Sequence, residues 1–262
     1  MGYGDAGDAI HGDEIMTGIL HGVGVGPGDP DLITLKALRI IQSVPVIAWP
    51  APLTGDSMAR AIAAPHIDAR GADNAPVEIA IRMPMSVARF PAQTVYDTAA
   101  HDVAVHLDAG RNVAVLCEGD PFFYGSFMYL FGRLAESYPV DVTPGISSLT
   151  ASAAALGAPL AARNDVLTVL PAPLPAAELQ RRLEEADAVA IIKIGSHLDK
   201  VKAALAAADL LDDARYIEHA TMPSQTEQRL ADVVSAPYFS MVLVHKRREA
   251  WRTDADRTET GS

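Results

Sequence analysis

The sequence contains a single cysteine, Cys117, among its 262 residues. One thiol excludes an intrachain disulfide and a cluster of several thiolate ligands around one metal. Such scarcity is typical of proteins in a reducing compartment, so we expect a cytoplasmic protein. Because Cys117 ends an apolar run, we interpret its side chain as a small buried hydrophobe, with a nucleophilic thiol as the alternative.

Long apolar runs are also absent. The run within residues 187–194 is far shorter than the roughly 20 residues that span a bilayer. The chain does not open with a basic segment followed by an apolar one, so no secretory leader is expected. We therefore expect no contact with a membrane.

Positive charge is scarce, since 21 lysines and arginines stand against 33 aspartates and glutamates, for a formal net charge of -12. General nucleic-acid binders need a basic face, so this class is not expected. A small anion remains a possible ligand, because a local group of arginines acts at short range whatever the net charge is.

What the sequence does contain is an alternation of apolar strands and helical segments, which predicts parallel sheets covered by helices. We predict two α/β domains, at residues 18–143 and 144–246. The strands predicted at 227–233 and 238–245 follow each other without a helix, so the second sheet is expected to be mixed. Residues 1–17, rich in glycine and aspartate, and the polar tail 247–262 are expected to be disordered and outside the fold.

The first predicted strand leads into "GVGVGPGDPDLITLKAL" at residues 22–38. A dinucleotide-binding loop requires G-x-G-x-x-G and an acid at the end of the next strand, and this segment has neither. What remains is a rigid strand-to-helix turn, with Asp29 or Asp31 as the helix cap, or a loop that binds another ligand.

Two further loops carry similar signals. "EGDPFFYG", at 118–125, follows a predicted strand, and its acids and aromatics suit a cationic, partly aromatic ligand. "TPGISS", at 143–148, opens a predicted helix, and its serines could cap that helix or bind a ligand. For each loop, a capped structural turn is the alternative.

In this order and spacing, "GVGVGPGDPDLITLKAL", "CEGDPFFYGS" and "TPGISSLTASAAALG" resemble the tetrapyrrole methylase family, the S-adenosylmethionine-dependent enzymes of cobalamin and sirohaem synthesis. The resemblance covers residues 18–246. "ARNDVLTVLPAPLP", "IIKIGSHLDKV" and "YIEHATMPSQ" are similar to the branch that methylates carbon 20 of precorrin-2. The resemblance implies a dimer of two-domain α/β chains, a mostly parallel N-terminal sheet, and an active-site cleft between the domains.

The resemblance also implies a binding site for S-adenosylmethionine. Its positions are Pro27, Glu118, Gly119, Asp120, Phe123, Ser147, Ser148, Ile194, Ala220 and Thr221. Ala220 replaces a glycine of many relatives, and Glu118 stands where the family usually has a double glycine before the aspartate. We expect the two acids to favour the positive sulfonium. We expect Phe123, Ile194 and Ala220 to form an apolar slot for adenine.

The implied tetrapyrrole substrate carries several carboxylates, which pair well with arginine. The candidates for binding it are Gly28, Asp29, Arg60, Arg82, Arg89 and Arg163. Asp29 is also a weak candidate for a general base, although a helix cap is the preferred interpretation. The histidines do not have the spacing of a metal site, so no protein-bound metal is expected.

Three alternatives remain open at this point. The substrate could be cobalt-factor II of the anaerobic route instead of metal-free precorrin-2. The chain could also be another tetrapyrrole methylase, or a non-catalytic nucleotide-binding module. The missing phosphate lysine and the failed dinucleotide pattern weigh against the module.

Overall fold

The computed structural model describes residues 16–83 and 93–246. The predicted terminal extension, up to residue 15, and the predicted tail, 247–262, lie outside the described residues. So does Arg89. The described part of the chain forms two five-stranded sheets with helices on their faces, which confirms the predicted α/β class.

The first sheet is wholly parallel. Its strands are β1 (Leu20–Gly24), β2 (Val46–Pro52), β3 (Val77–Met83), β4 (Val113–Cys117) and β5 (Val140–Thr143), in the order β3-β2-β4-β1-β5. Every residue of β4 is buried, as expected for a central strand covered on both faces. Because the strands are parallel, the loops that follow them meet at one edge.

Four helices cover this sheet: α1 (Leu35–Ser43), α2 (Met58–Asp68), α3 (Gln93–Asp108) and α4 (Phe127–Leu134). The first two pack on one face, where Ile41 and Ile62 contact the core around Ile47. The other two pack on the opposite face, around residues such as Val103 and Phe127. Burial on both faces fixes the sheet and therefore the positions of its loops.

The second sheet is mixed, as predicted. Its strands are β6 (Leu167–Pro171), β7 (Ala188–Ile192), β8 (Arg215–Glu218), β9 (Thr226–Arg229) and β10 (Ser240–His245), in the order β6-β7-β10-β8-β9. Only the β6–β7 pair is parallel. Helices α6 (Ala176–Glu185) and α7 (Leu198–Ala207) cover one face. Helix α5 (Ser148–Ala155) covers the other through Leu149.

Two predicted elements differ in the structure. The first loop was expected to lead directly into a helix capped by Asp29 or Asp31. It leads instead into a short 3-10 turn, Pro30–Leu32, which is followed by extended Ile33 and then by α1. The hydroxyl of Thr34 caps α1 by accepting a hydrogen bond from the amide of Ala37 at 3.2 Å. The strand predicted over 227–233 ends early, because 230–232 form a 3-10 turn that buries the leucine at 230. The domain boundary at 143/144 stays a prediction.

Candidate active site

A cleft of about 420 Å³ lies between the two sheets. One wall consists of the loops that follow β1, β2, β4 and β5, at the carboxyl edge of the parallel sheet. The other consists of the turns after β7 and β8 and the start of β10. Parallel sheets bind ligands at this edge, and the volume lies in the range of small-molecule sites.

Glycines bring three loops of the first sheet into backbone contact. A Cβ atom on Gly145 would lie 1.9 Å from the carbonyl oxygen of Gly119, and one on Gly24 would lie 2.6 Å from the Cα of Gly145. Gly119, at φ +64, donates its amide to the carbonyl of Gly26 at 2.8 Å. Side chains are therefore excluded here, and a ligand in the cleft can approach the main chain.

Asp120 ties the second loop to the third. One carboxylate oxygen accepts from the amide of Phe122 at 2.9 Å, and the other accepts from the amide of Gly145 at 3.0 Å. The residue also lines the cleft. Each oxygen has a further lone pair, so this structural role leaves its negative charge available to a ligand.

Glu118 lies in the cleft wall at the start of α2. Its Oε1 accepts from the amide of Ala59 at 3.1 Å. Burial raises the pKa of Glu118 above its ordinary value, against the opposing effect of its backbone hydrogen bonds. The helix N-terminus favours the ionised form, so a carboxylate can be held here despite its burial.

Pro27, Phe123, Ser147 and Ser148, which the resemblance assigns to cofactor binding, also line the cleft. Phe123 is 37% exposed, and its ring stands edge-on to that of Tyr124, with 5.0 Å between the ring centroids. Ser147 caps α5 by accepting from the amide of Leu149 at 3.2 Å. Capping and cleft lining, which the sequence offered as alternatives for these serines, therefore coexist in the same loop.

Of the expected cofactor-binding residues that follow strands of the second sheet, one lines the cleft, one is buried in the core and one joins the two walls. Ala220 lines the cleft. Ile194 is fully buried in the core under α7 and does not line the cleft. This corrects the expectation that Ile194 forms part of an apolar slot, because its side chain packs on the helical face of the sheet. The hydroxyl of Thr221 accepts from the amide of Asp29 at 3.1 Å and joins the two walls.

Gly28 and Asp29 join the walls instead of lining the cavity. A Cβ atom on Gly28 would lie 2.4 Å from the Cγ of Met222, so the glycine permits this close packing. Asp29 caps the 3-10 turn, since its Oδ1 accepts from the amide of Asp31 at 2.9 Å. The structure supports the preferred interpretation of Asp29 as a cap, although the capped element is the turn and not α1.

The candidate arginines within the described residues do not line the cleft. Arg60 pairs with Glu78 at 3.0 Å and with Asp68 at 2.8 Å. Arg82 donates through Nη1 to the carbonyls of Pro52 and Gly55, at 2.9 and 2.8 Å, and so holds the loop after β2. Sequence spacing alone could not reveal these partners, because they come from other elements.

Arg163 lies at the opposite end of the second sheet. The segment that carries it enters β6, whose first residue, Leu167, pairs with Ala188 at the start of β7. The cleft lies at the other end of β7, beyond Ile192. The expectation that Arg163 contacts a cleft ligand is therefore corrected by the strand register.

Sequence reasoning missed the cleft residues Lys193 and His219, and it included Tyr124 only as one of the aromatics of its loop. All three have left-handed backbones, with φ of 58°, 50° and 56°. Strained non-glycine residues concentrate at functional sites. The available signal was adjacency, because Lys193 and His219 immediately precede Ile194 and Ala220 in the quoted motifs.

Cys117 is buried at the end of β4, which confirms its interpretation as a hydrophobe. Burial raises the pKa of this thiol to about 12. Across residues 16–83 and 93–246, no three histidine, cysteine or acidic side chains are grouped to hold a metal ion. Within the same residues, no helix is long and apolar enough to cross a membrane.

Comparison with known proteins identifies a family profile, tetrapyrrole (corrin/porphyrin) methylases, that matches residues 19–233. The precorrin-2 C(20)-methyltransferase of a Sinorhizobium species is 41% identical over 88% of this chain and 96% of its own length. The cobalt-precorrin-2 C(20)-methyltransferase of Salmonella typhimurium is 30% identical over 89% of this chain and 99% of its own length.

The cobalamin biosynthesis protein CobIJ of Mycobacterium tuberculosis is also 41% identical over 87% of this chain, but the chain spans only 46% of that longer protein. Among solved structures, a uroporphyrin-III C-methyltransferase from Thermus thermophilus, complexed with S-adenosyl homocysteine, is similar with a TM-score of 0.62. It is 20% identical and covers 88% of this chain and 99% of its own. That likeness concerns the fold.

Proposed function

The chain belongs to the tetrapyrrole (corrin/porphyrin) methylase family, and on that basis we propose that it transfers a methyl group from S-adenosylmethionine to carbon 20 of precorrin-2. The observation that carries the proposal is the 41% identity to a precorrin-2 C(20)-methyltransferase over 96% of that protein's length. The cleft between the sheets supplies a site of suitable size and chemistry.

The residues of the cleft fit S-adenosylmethionine. The backbone contact of Gly24, Gly119 and Gly145 lets a ligand reach main-chain polar groups. The carboxylates of Glu118 and Asp120 supply negative charge for a sulfonium. When bound, the cofactor supplies a methyl group made electrophilic by the positive sulfur. A related fold has been solved with S-adenosyl homocysteine, the expected product.

In the proposed mechanism the nucleophile belongs to the substrate. Its electron-rich carbon would take the methyl group while the methyl–sulfur bond breaks and leaves its electron pair on sulfur, and the same carbon would then lose a proton to water. The protein contributes mainly by aligning the reacting atoms, and such alignment can be worth several kcal/mol. No protein base is required for the proton. Asp29, the candidate base of the sequence, instead caps a turn, so replacing it with alanine should leave turnover at saturating substrate unchanged.

We further propose that the protein acts in the cytoplasm as a homodimer. The single cysteine supports a reducing compartment. The dimer rests on the family resemblance, and sedimentation of the purified protein tests it: a species of twice the chain mass is expected, and a monomer at micromolar concentration contradicts it.

The test of the activity uses purified protein, methyl-labelled S-adenosylmethionine and two substrates in parallel, precorrin-2 and its cobalt complex. Mass spectrometry and carbon NMR locate the added methyl. Label at carbon 20 of precorrin-2 supports the proposal. Transfer only to the cobalt complex would place the chain with the Salmonella relative, which is 30% identical. If no methyl group is transferred to either substrate but S-adenosylhomocysteine still binds, the protein methylates a different substrate of the family.

The alternative of a non-catalytic nucleotide-binding module is tested by ligand choice. Calorimetry with S-adenosylhomocysteine, NAD and ATP should show binding of the first only. Tight binding of NAD or ATP without methyl transfer would favour the module.

A further inference from the structure

The charged groups of the cleft are unequally distributed. Among the described residues that line it, the acids are Asp56, Glu118 and Asp120, whereas the lysines and arginines are represented by Lys193 alone. The described arginines that the sequence offered for binding carboxylates are paired with other elements or lie at the far end of the second sheet. Any carboxylate that enters the cleft therefore meets Lys193 as the one lysine or arginine side chain that the described residues contribute.

Lys193 has no acidic partner among the residues that the structure describes. Within the described chain, no carboxylate forms an ion pair or hydrogen bond with it, and its Nζ lies 5.0 Å from the ring centroid of Tyr124. Burial lowers the pKa of Lys193 below its ordinary value. An aromatic ring restores only part of the stabilisation that an ammonium loses when it leaves water. A carboxylate from a ligand would stabilise the charged ammonium further.

The backbone presents this side chain from a fixed position. Lys193 follows β7 directly and adopts φ of 58°, a conformation that is unfavourable for a residue with a Cβ atom. Tyr124, whose ring it faces, comes from the loop after β4 and has φ of 56°. Two strained residues from opposite walls therefore meet above the cleft, and strain of this kind persists where the surrounding structure enforces it.

We propose that Lys193 binds a carboxylate side chain of the tetrapyrrole substrate and helps to select substrates that carry one there. The inference rests on the proposed function and names one contact within it. S-adenosylmethionine also has a carboxylate, so the same ammonium chemistry has two potential sources. The substrate is favoured because it carries several carboxylates and the described arginines do not face the cleft.

The test compares Lys193→Met, which keeps the length of the side chain without its charge, and Lys193→Arg, which keeps the charge. The matched control is Lys36→Met, since Lys36 pairs with Asp141 away from the cleft and its loss changes the net charge equally. Three quantities are measured for each protein: the KM and kcat for precorrin-2, the Kd of precorrin-2 in the presence of S-adenosylhomocysteine, and the Kd of S-adenosylhomocysteine itself.

We expect Lys193→Met to raise the KM and the Kd of precorrin-2 by roughly ten- to a hundredfold, the usual effect of losing a charged hydrogen bond. The Kd of S-adenosylhomocysteine should change by less than about twofold, Lys193→Arg should recover most of the loss, and Lys36→Met should resemble the wild type. An unchanged Kd for precorrin-2 would overturn the inference. A loss confined to S-adenosylhomocysteine would assign the lysine to the cofactor and would also overturn it.

These outcomes separate the inference from the proposed function. If the wild type methylates carbon 20 and Lys193→Met does so equally well, the function stands and the inference is wrong. If the wild type transfers no methyl group, the function is wrong, and the binding of precorrin-2 still decides the role of Lys193. If the wild type does not bind precorrin-2 at all, both are wrong.

Discussion

The two walls of the cleft are built in opposite ways. The first sheet presents loops in which glycines remove side chains, so that Gly24, Gly119 and Gly145 meet backbone to backbone. The second sheet presents turns in which Lys193 and His219 keep their side chains although their backbones are left-handed. The first wall thus exposes main-chain polar groups and acids, and the second supplies particular side chains. We infer that the first wall is suited to a cofactor shared by a family, and that Lys193 on the second wall serves the selection of a substrate.

The largest expected effect tests the close packing of the first wall. Gly145→Ala would place a methyl group 1.9 Å from the carbonyl oxygen of Gly119, where neither backbone can move freely. We expect the free energy of unfolding to fall by about 3 kcal/mol. Denaturant unfolding followed by circular dichroism measures it.

Gly132→Ala is the matched control, because a Cβ atom at Gly132 on α4 has no neighbour within 4 Å. A helical glycine replaced by alanine should gain about 0.5 to 1 kcal/mol. Equal behaviour of the two variants would contradict the description of the first wall as a backbone contact.

The next largest effect concerns the charge of Glu118 in the first wall and the affinity for the cofactor. Glu118→Gln preserves an oxygen that can accept from the amide of Ala59 but removes the charge. S-adenosylmethionine, which carries a positive sulfur, should lose about tenfold in affinity relative to S-adenosylhomocysteine, which does not. Calorimetric titration of both ligands gives the ratio. If the affinities for S-adenosylmethionine and S-adenosylhomocysteine fell equally, Glu118 would act through its shape and not through its charge.

A smaller effect should reveal the strain in the second wall. Lys193→Gly and Lys193→Ala both lack the side chain, but only glycine relaxes at φ of 58°. We expect the glycine variant to be more stable by about 0.5 to 1 kcal/mol in thermal or denaturant unfolding. The same pair at Lys200, within α7, should show the reverse order, because glycine weakens a helix. The same order of stability at both positions would show that the backbone of Lys193 is not strained.

The smallest effect is a pH dependence. Burial raises the pKa of Glu118, so the unfolded chain loses this proton at a lower pH than the folded protein. In that window the folded state binds more protons, and stability therefore falls as the pH rises. Glu118→Gln removes this contribution. Its stability relative to the wild type should therefore increase from acidic to neutral pH, as measured by unfolding at a series of pH values. A difference that is independent of pH would contradict the burial effect.

Much of the first sheet was predictable, because its strands are short apolar runs whose loops carry glycine at the points of contact. Gly145 and Ser147 were recognisable for this reason, and the structure places both where the three loops meet. The mixed second sheet was also predictable, from two strands without an intervening helix.

What could not be predicted depends on contacts between distant segments. Arg60 and Arg82 looked equally available in the sequence, yet their partners lie in other elements. The burial of the Ile194 side chain depends on which face of β7 it continues, and the helical cover decides that. The left-handed backbone of Lys193 has no sequence signal, because lysine does not ordinarily adopt it.

The burial of Cys117 gives this protein a built-in reporter. Its thiol is the only one in the chain, lies in the central strand of the first sheet and has a pKa of about 12. A thiol-modifying reagent can therefore label the folded protein only when that sheet opens. The labelling rate under native conditions would follow the opening of the first sheet separately from that of the second, without any introduced probe.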